Sequence, residues 1–379
     1  MVSDLQVWTE IDLSAYGRNI RELKGITGPG TRFMAVVKAD GYGHGAVEIS
    51  RAGLAAGADC LGVARLDEGQ QLREAGIEAP ILIFGYTSPE KTRYLIDNDL
   101  TQTVFSYSAA EAHARQAERC GRKLRAHIKV DTGMGRLGVL ATETSADRRL
   151  HEVQSIASLS GLEIEGLFTH FATADSADTS YAELQLRRLR ELLGALATLG
   201  LEIPIKHAAN SAALMHLPDS HLDLVRPGIA TYGLQPSSEW QRDDLDLEPA
   251  LQWKTRVIHL KQVPAGFGVS YGITYKTSKP TTLATVAAGY ADGLNRALSS
   301  RGQMLVRGRR VPIVGRVCMD LTLLDVGEVP GVSVGDEVVI LGRQGEQVLT
   351  AEDMAATLDT INYEIVTSIS QRVPRIYRS

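Results

Sequence analysis

The first two thirds of the chain repeat one local pattern eight times: a short apolar run, then a longer amphipathic stretch. The runs lie at 33–37, 60–64, 81–84, 103–105, 126–130, 164–169, 203–207 and 222–225. Apolar runs of this length suit strands buried on both faces, and parallel strands of that kind need a crossover segment between each pair. The clearest helix places Tyr181, Leu184, Leu189, Leu192, Leu193, Leu196 and Leu199 on one expected face and stops at Gly200, which suits a left-handed cap. A doubly wound sheet has the same local pattern, but the count of eight favours a (β/α)8 TIM-type barrel.

The pattern changes at 235–250, where Gln235-Pro-Ser-Ser-Glu and Asp243-Asp-Leu-Asp-Leu-Glu248 read as a polar linker. Short β-type runs follow at 256–263, 282–287, 304–306, 311–314, 321–325 and 337–341, separated by Gly and Pro. Thr350-Ala-Glu-Asp353 has the spacing of a capping box at the start of a short helix. The expected division is a barrel domain over 1–238 and a mostly-β domain over 239–379.

Composition excludes several classes of function. The net charge of −5 comes with no block of Lys or Arg, so binding to nucleic acid or a membrane surface is not indicated. Cys60, Cys120 and Cys318 are scattered and odd in number, which gives neither a disulfide framework nor a metal-ligand spacing. A reducing, cytoplasmic setting is expected. The start, Met1-Val-Ser-Asp-Leu-Gln, reads without a signal peptide, and no run of about 18 apolar residues marks a membrane span.

Reactive groups of a barrel gather at the C-terminal ends of its strands. Here the first run breaks into Lys38-Ala-Asp-Gly-Tyr42-Gly-His-Gly45. A lysine partly out of water at such an end favours its neutral amine and can act as a Schiff-base nucleophile. Lys129, Asp131 and Arg136 lie at and after the fifth run, His170 after the sixth, His207, Asn210 and Ser211 at the seventh, and Arg226, Gly228 and Ile229 after the eighth. The last two loops are the usual phosphate cradle of a barrel. Ser211 offers a hydroxyl at a helix start and Gly228-Ile229 offers backbone N–H groups, although a serine cap and a turn glycine would read the same way. A Schiff-base lysine and a phosphate site in one mouth point to pyridoxal phosphate. Gly133-Met-Gly135-Arg-Leu-Gly138 matches a dinucleotide fingerprint by letter only, because no strand leads directly into the glycines and no helical periodicity succeeds them. Lys129 alternates with Ile128 and Val130, so it either snorkels outward or faces the mouth, where its charge needs a partner.

Taken together, these motifs resemble the alanine racemases, pyridoxal-phosphate enzymes that interconvert L- and D-alanine. The likeness runs along nearly the whole chain and is most specific at 35–45, 127–138, 166–175, 207–211, 225–234, 269–272, 288–293, 315–320 and 361–364. It implies that Lys38 holds pyridoxal 5′-phosphate as an internal aldimine, that Tyr42, Ser211, Gly228, Ile229 and Tyr363 bind the phosphate with Asn210 nearby, and that Arg226 faces the pyridine nitrogen. It further implies a carbamylated Lys129 beside Arg136, a substrate carboxylate held by Arg136 and Met319, and His170 bridging Tyr271 and Arg226. Tyr290 would line an access channel with Arg296 and Arg316. Leu294 stands where the family pattern leads one to expect an aromatic residue. Lys38 and Tyr271 would be the two bases, working on opposite faces of the external aldimine. A tyrosine with a pKa of about 10 needs a shift of roughly three units, about 4 kcal/mol, to serve as a base near neutrality. If Tyr271 serves a neighbouring copy, the enzyme is a homodimer with shared active sites, closed by a twofold axis. D-Alanine for peptidoglycan is the role the family implies.

Three other readings share parts of the pattern. A serine or broad-specificity racemase would differ in pocket volume near Met319 and Tyr363. A decarboxylase of similar layout would carry an acid at the ring nitrogen, where Arg226 stands, and its acid-flanked cysteine is echoed by Cys318-Met-Asp320. A cofactor carrier made of the barrel alone would end near residue 235.

Overall fold

The computed structural model describes residues 4–142, 146–237, 239, 242 and 244–379. The expected linker includes positions 238, 240, 241 and 243, which lie outside the described residues. Two compact units divide the chain. One comprises Ala15–Gly41 and Ala46–Glu248; the other comprises residues up to Ser14, Tyr42–Gly45 and Pro249–Ser379.

The first strand, β1 (Val7–Asp12), belongs to the second unit, although its place in the chain puts it with the barrel in the expected division. The barrel is built by β2 (Arg32–Val36), β3 (Cys60–Val63), β4 (Ile81–Ile83), β5 (Leu100–Val104) and β6 (Leu124–Asp131). It continues, past a two-residue β7 (Val139–Leu140) that pairs on β6, into β8 (Leu162–Phe168), β9 (Ile205–His207) and β10 (Leu224–Val225). The parallel order β5-β4-β3-β2-β10-β9-β8-β6 closes on itself through β5–β6 pairing. All eight apolar runs of the sequence are barrel strands. Two glycines make room inside. A Cβ on Gly62 would lie 2.6 Å from the Phe84 ring, and one on Gly166 would lie 2.6 Å from the His127 ring.

The helix expected to end at Gly200 spans Ser180–Thr198. Gly200 is left-handed (φ 75°), and the bonds Gly200 N–H to Ala197 C=O and Leu201 N–H to Leu196 C=O form a Schellman end. Its buried face differs from the expected one: Ala182, Gln185, Leu186, Leu189, Leu192 and Leu196 point inward, while Tyr181 and Leu199 are exposed. The Tyr181 hydroxyl donates to the Gly133 carbonyl (2.9 Å), and this bond keeps its ring out of the core.

The second unit centres on the long β11 (Leu251–Val263), which pairs antiparallel with β1 on one side. It is followed by β12 (Gly268–Val269), β13 (Tyr275–Lys276), β14 (Thr281–Val286), β15 (Gln303–Val306) and β16 (Arg309–Pro312). Then come β17 (Thr322–Asp325), β18 (Glu337–Gln344), β19 (Gln347–Leu349) and β20 (Arg375–Arg378), which pairs parallel with β1. The expected capping box is present, with Asp353 N–H donating to Thr350 Oγ1 (3.0 Å) and Thr350 N–H to Asp353 Oδ2 (3.2 Å).

Candidate active site

Five barrel strands deliver chemistry to their C-terminal ends. After β2 the chain turns through five successive residues of positive φ, Ala39, Asp40, Gly41, Tyr42 and Gly43, at 53°, 53°, 60°, 52° and 81°. Such a run is costly for non-glycine residues and persists only where neighbours hold it. Glu68 does this by accepting from Ala39 N–H (2.6 Å) and Ala64 N–H (2.6 Å), and Asp40 accepts from Ala46 N–H (2.9 Å). The turn leaves Lys38 half-buried. Burial lowers its pKa most, Arg136 and Arg226 add to that and Glu68 opposes it, so on balance the neutral, nucleophilic amine is favoured.

Lys129 does not snorkel outward. The strand around it is buried on both faces, and Lys129 itself is 5% exposed with Nζ 5.8 Å from the Phe168 ring centroid. Its pKa is lowered to about 8, first by desolvation and then by Arg136 and Arg226. Past the strand end, Asp131 Oδ1 accepts from the N–H groups of Gly133, Met134 and Gly135 at 2.9, 2.8 and 3.1 Å. The glycine motif therefore wraps its own carboxylate. After Gly138 the chain enters β7, whereas a dinucleotide site requires a helix there.

Arg226 is the centre of the mouth. It is 5% exposed, it donates to the carbonyls of Thr169 (2.9 Å) and Ala208 (3.0 Å), and its Cζ lies 5.2 Å from the Phe168 centroid. Burial lowers its pKa to about 9. Arg226 Nη1 meets His207 Nδ1 at 2.9 Å, and His207 Nε2 meets His127 Nδ1 at 2.8 Å. A guanidinium has no acceptor, so His207 Nδ1 must accept. His207 Nε2–H then donates, and His127 Nδ1 accepts. Arg226 Nη2 also contacts His170 Nδ1 at 3.4 Å, which makes that nitrogen an acceptor as well. Desolvation and the Arg226 charge hold all three imidazoles neutral: His127 falls to about 3, and His170 and His207 fall well below the usual value. His207 stacks on Phe168 at 4.6 Å.

The cap of the short helix Ser211–His216 is Asn210, whose Oδ1 accepts from Ala213 N–H (2.9 Å); the serine-cap reading of Ser211 is therefore wrong. Ser211 Oγ instead accepts from Gly228 N–H (2.9 Å) and Ala230 N–H (3.3 Å). Backbone N–H groups from the loop after β10 thus converge on one oxygen beside Ile229, a donor set suited to phosphate oxygens.

In the second unit, Tyr42 and Tyr363 face each other with ring centroids 6.2 Å apart. Gly43 is required there, since its Cβ would lie 2.2 Å from the Val366 carbonyl. Tyr271 is 70% exposed on a turn where Ser270, Gly272 and Ile273 all have positive φ. Met319 and Tyr290 are also exposed, and their loops are tied by Tyr290 N–H to Cys318 C=O (3.0 Å) and Ala291 N–H to Met319 C=O (2.9 Å). Leu294, the departure from the family pattern, is buried in the core of this unit. Sequence reasoning passed over His127 and Glu68. His127 carries a signal, because it stands two residues before Lys129 on one strand and shares its inward face.

Family profiles described as "Alanine racemase, N-terminal domain" and "Alanine racemase, C-terminal domain" match residues 11–236 and 250–377. The chain belongs to the alanine racemase family. It is 52% identical to an alanine racemase of Desulfosudis oleivorans over 99% of this chain and 97% of the relative, and 46% identical to one of Methanococcus maripaludis over 98% of each. The alanine racemase structure of Clostridium difficile 630 superposes with a TM-score of 0.93 at 40% identity, covering 99% of this chain and 96% of that one. The Bacillus anthracis alanine racemase with bound L-Ala-P gives 0.91 at 41%, covering 99% and 95%. Membership makes the chain a pyridoxal-phosphate-dependent racemase, an isomerase.

Proposed function

We propose that the chain interconverts L- and D-alanine, with Lys38 and Tyr271 as the two bases and pyridoxal 5′-phosphate as cofactor, and that it supplies D-alanine for peptidoglycan. The observation that carries this reading is the barrel mouth, where a lysine biased toward its neutral amine shares its electrostatics with a buried arginine and a converging N–H cradle. The barrel donors suit the cofactor, Lys38 Nζ for its carbonyl, Ser211, Gly228 and Ile229 for its phosphate with Asn210 fixing the helix start, and Arg226 for its ring nitrogen; the reading assigns Tyr42 and Tyr363 to the phosphate as well. When bound, the cofactor supplies an electron sink that acidifies the α-hydrogen of an attached amino acid.

This chain's residues do the rest. Lys38 Nζ takes or returns the proton on one face, and the Tyr271 hydroxyl oxygen does so on the other. Arg226 carries a fixed charge and only donor hydrogens, so it discourages a proton on the ring nitrogen, while His170 holds Arg226 oriented. Arg136 and the Met319 backbone hold the substrate carboxylate. The neutral Lys129 amine adds to CO2, forming an N–C bond and releasing one proton, and the resulting carbamate faces Arg136. Tyr290 lines the access channel. The barrel portion runs over 1–238 in chain order and the β portion over 239–379, with β1 lent back to the latter. The exposure of Tyr271 and Met319 supports a homodimer whose sites are shared. Three free thiols suit a cytoplasmic location, and among the described residues no helix is long and apolar enough to cross a membrane.

The test is circular dichroism of D-alanine with added cofactor, run in parallel with D-serine and D-lysine. Decay of the D-alanine signal to zero, abolished in Lys38→Ala, is the expected result. Faster decay with serine or lysine would overturn the substrate, and no decay with any of the three would overturn the racemase itself.

A further inference from the structure

The opposite end of the barrel also holds a cavity, of about 350 Å³, lined by residues at or beside the N-terminal ends of the strands. That volume is within the usual range of small-molecule pockets. Its floor is apolar, formed by Met34, Leu82, Ile205 and Leu224. Its rim is charged. Arg125 and Glu165 pair with each other at 3.6 Å, and Arg125 also pairs with Asp99, so these charges are satisfied within the chain. Arg32 and Glu163 are different. Neither side chain has a hydrogen-bond or ion-pair partner among the described residues, and both line the cavity. Arg32 starts β2 two residues before Met34, so its guanidinium stands above the apolar floor on the same face. One unpaired cation and one unpaired anion over an apolar floor match a molecule carrying a carboxylate, an ammonium and an apolar body.

We infer that the N-terminal mouth of the barrel binds an α-amino acid with an apolar side chain larger than that of alanine, its carboxylate on Arg32, its ammonium on Glu163 and its side chain on the Met34–Leu224 floor. The site goes beyond the racemisation chemistry and uses none of its residues. It is nonetheless wired to that chemistry. His127 lines the cavity, and its Nδ1 accepts from His207, which in turn accepts from Arg226. His127 Nε2–H is the donor left over by that chain. A ligand here is two imidazoles away from Arg226.

Calorimetry of the holoenzyme with L-leucine and L-phenylalanine tests the inference, with 4-methylpentanoate and isoamylamine each lacking one of the two charges. Binding of the amino acids is expected, weakened about tenfold or more in Arg32→Gln and in Glu163→Gln, and equally weakened when either charge is removed from the ligand. Both substitutions are at the rim and should leave racemisation without added ligand unchanged. The His127 ring-proton resonance should shift on binding in the wild type and not in Arg32→Gln. Affinity unchanged in both variants would place the ligand at the catalytic mouth and overturn the site. So would equal affinity for the amine or the acid alone, or the absence of heat and resonance shift up to about 10 mM, where a millimolar site would register.

Discussion

The barrel mouth and the Tyr271 face of the β-rich unit hold their reactive groups in opposite ways. In the barrel, side chains hold side chains. Arg226 is fixed by two carbonyls and two imidazoles, His207 is fixed between Arg226 and His127, and Lys129 lies over Phe168, all nearly out of water. In the β-rich unit, side chains hold backbone: Ser270 Oγ donates to the Arg316 carbonyl (2.7 Å) and Asp292 Oδ2 accepts from Gly289 N–H (2.8 Å). Positive-φ residues around Tyr271 and the Gly289 approach to the Met319 carbonyl, where a Cβ would come within 2.3 Å, fix the loops. The side chains of Tyr271, Tyr290 and Met319 are left outside. Protonation in the barrel is therefore set within one chain by burial and a fixed cation, whereas the surroundings of Tyr271 are left to whatever covers it.

The largest expected effect separates the two regions by subunit. Lys38→Ala removes both the cofactor anchor and one base and should cost more than about 10⁴ in rate, while Tyr271→Phe removes one base and should cost about 10² to 10⁴. Mixing the two inactive proteins through unfolding and refolding should restore activity, because a mixed dimer with sites shared in trans contains one site with both residues intact. If each site draws Lys38 and Tyr271 from one chain, the mixture stays inactive and the shared-site reading fails.

Stability sharpens the same contrast. Arg226→Met strips donors from Thr169, Ala208 and His207 and should cost about 3 kcal/mol, since unmet buried acceptors cost more than the relieved burial of one cation returns. Tyr271→Phe, on an exposed side chain, should stay within about 0.5 kcal/mol. Urea midpoints of the two variants measure both; equal losses would mean that the β-rich face is packed as tightly as the mouth.

Acid should weaken the barrel first. Histidines with a folded pKa below the unfolded value bind fewer protons in the native state, so their contribution is fully present above about 6.5 and is lost as pH falls toward the folded value. For His127 that window runs from about 6.5 to about 3. His127 and His207, both buried, should each steepen the loss by about 1.4 kcal/mol per pH unit within their windows. His207→Gln should flatten the slope between pH 6 and pH 4 by about half that of the pair; an unchanged slope would mean that folding does not lower the His207 pKa.

The same contrast explains how much the sequence reveals. The barrel strands are continuous apolar runs, so all eight are legible, and so is the clustering of Lys38, Lys129, His170, Ser211 and Arg226 at their ends. β1 is not, because Val7-Trp-Thr-Glu-Ile-Asp12 mixes charge with apolar residues and finds its partner in β11, far along the chain. The short pair β12–β13 and the terminal β20 have too few residues to show a period. Ser211 reads as a cap because serine caps are common; that Asn210 takes the cap and frees Ser211 for the Gly228 loop depends on tertiary geometry. The Gly133–Gly138 letters fit a nucleotide loop, and only the fold shows Asp131 filling it.

The smallest expected effect concerns Lys129, a buried amine of the barrel mouth. With a pKa of about 8, an appreciable fraction of its amine is neutral at neutral pH and open to CO2, whereas an ordinary lysine near 10.4 is almost wholly protonated there. Labelled bicarbonate should therefore give a carbamate carbon resonance that is absent in Lys129→Ala and that grows between pH 7 and pH 9 as the neutral amine accumulates. Because carbamylation converts a cation close to Arg136 and Arg226 into an anion, bicarbonate should also raise the melting temperature by a few degrees, and Lys129→Ala should remove that dependence. A resonance that persists in Lys129→Ala would move the modification to another amine. A carbamate confined to Lys129 that leaves the melting temperature unchanged would mean that the C-terminal mouth already compensates this charge.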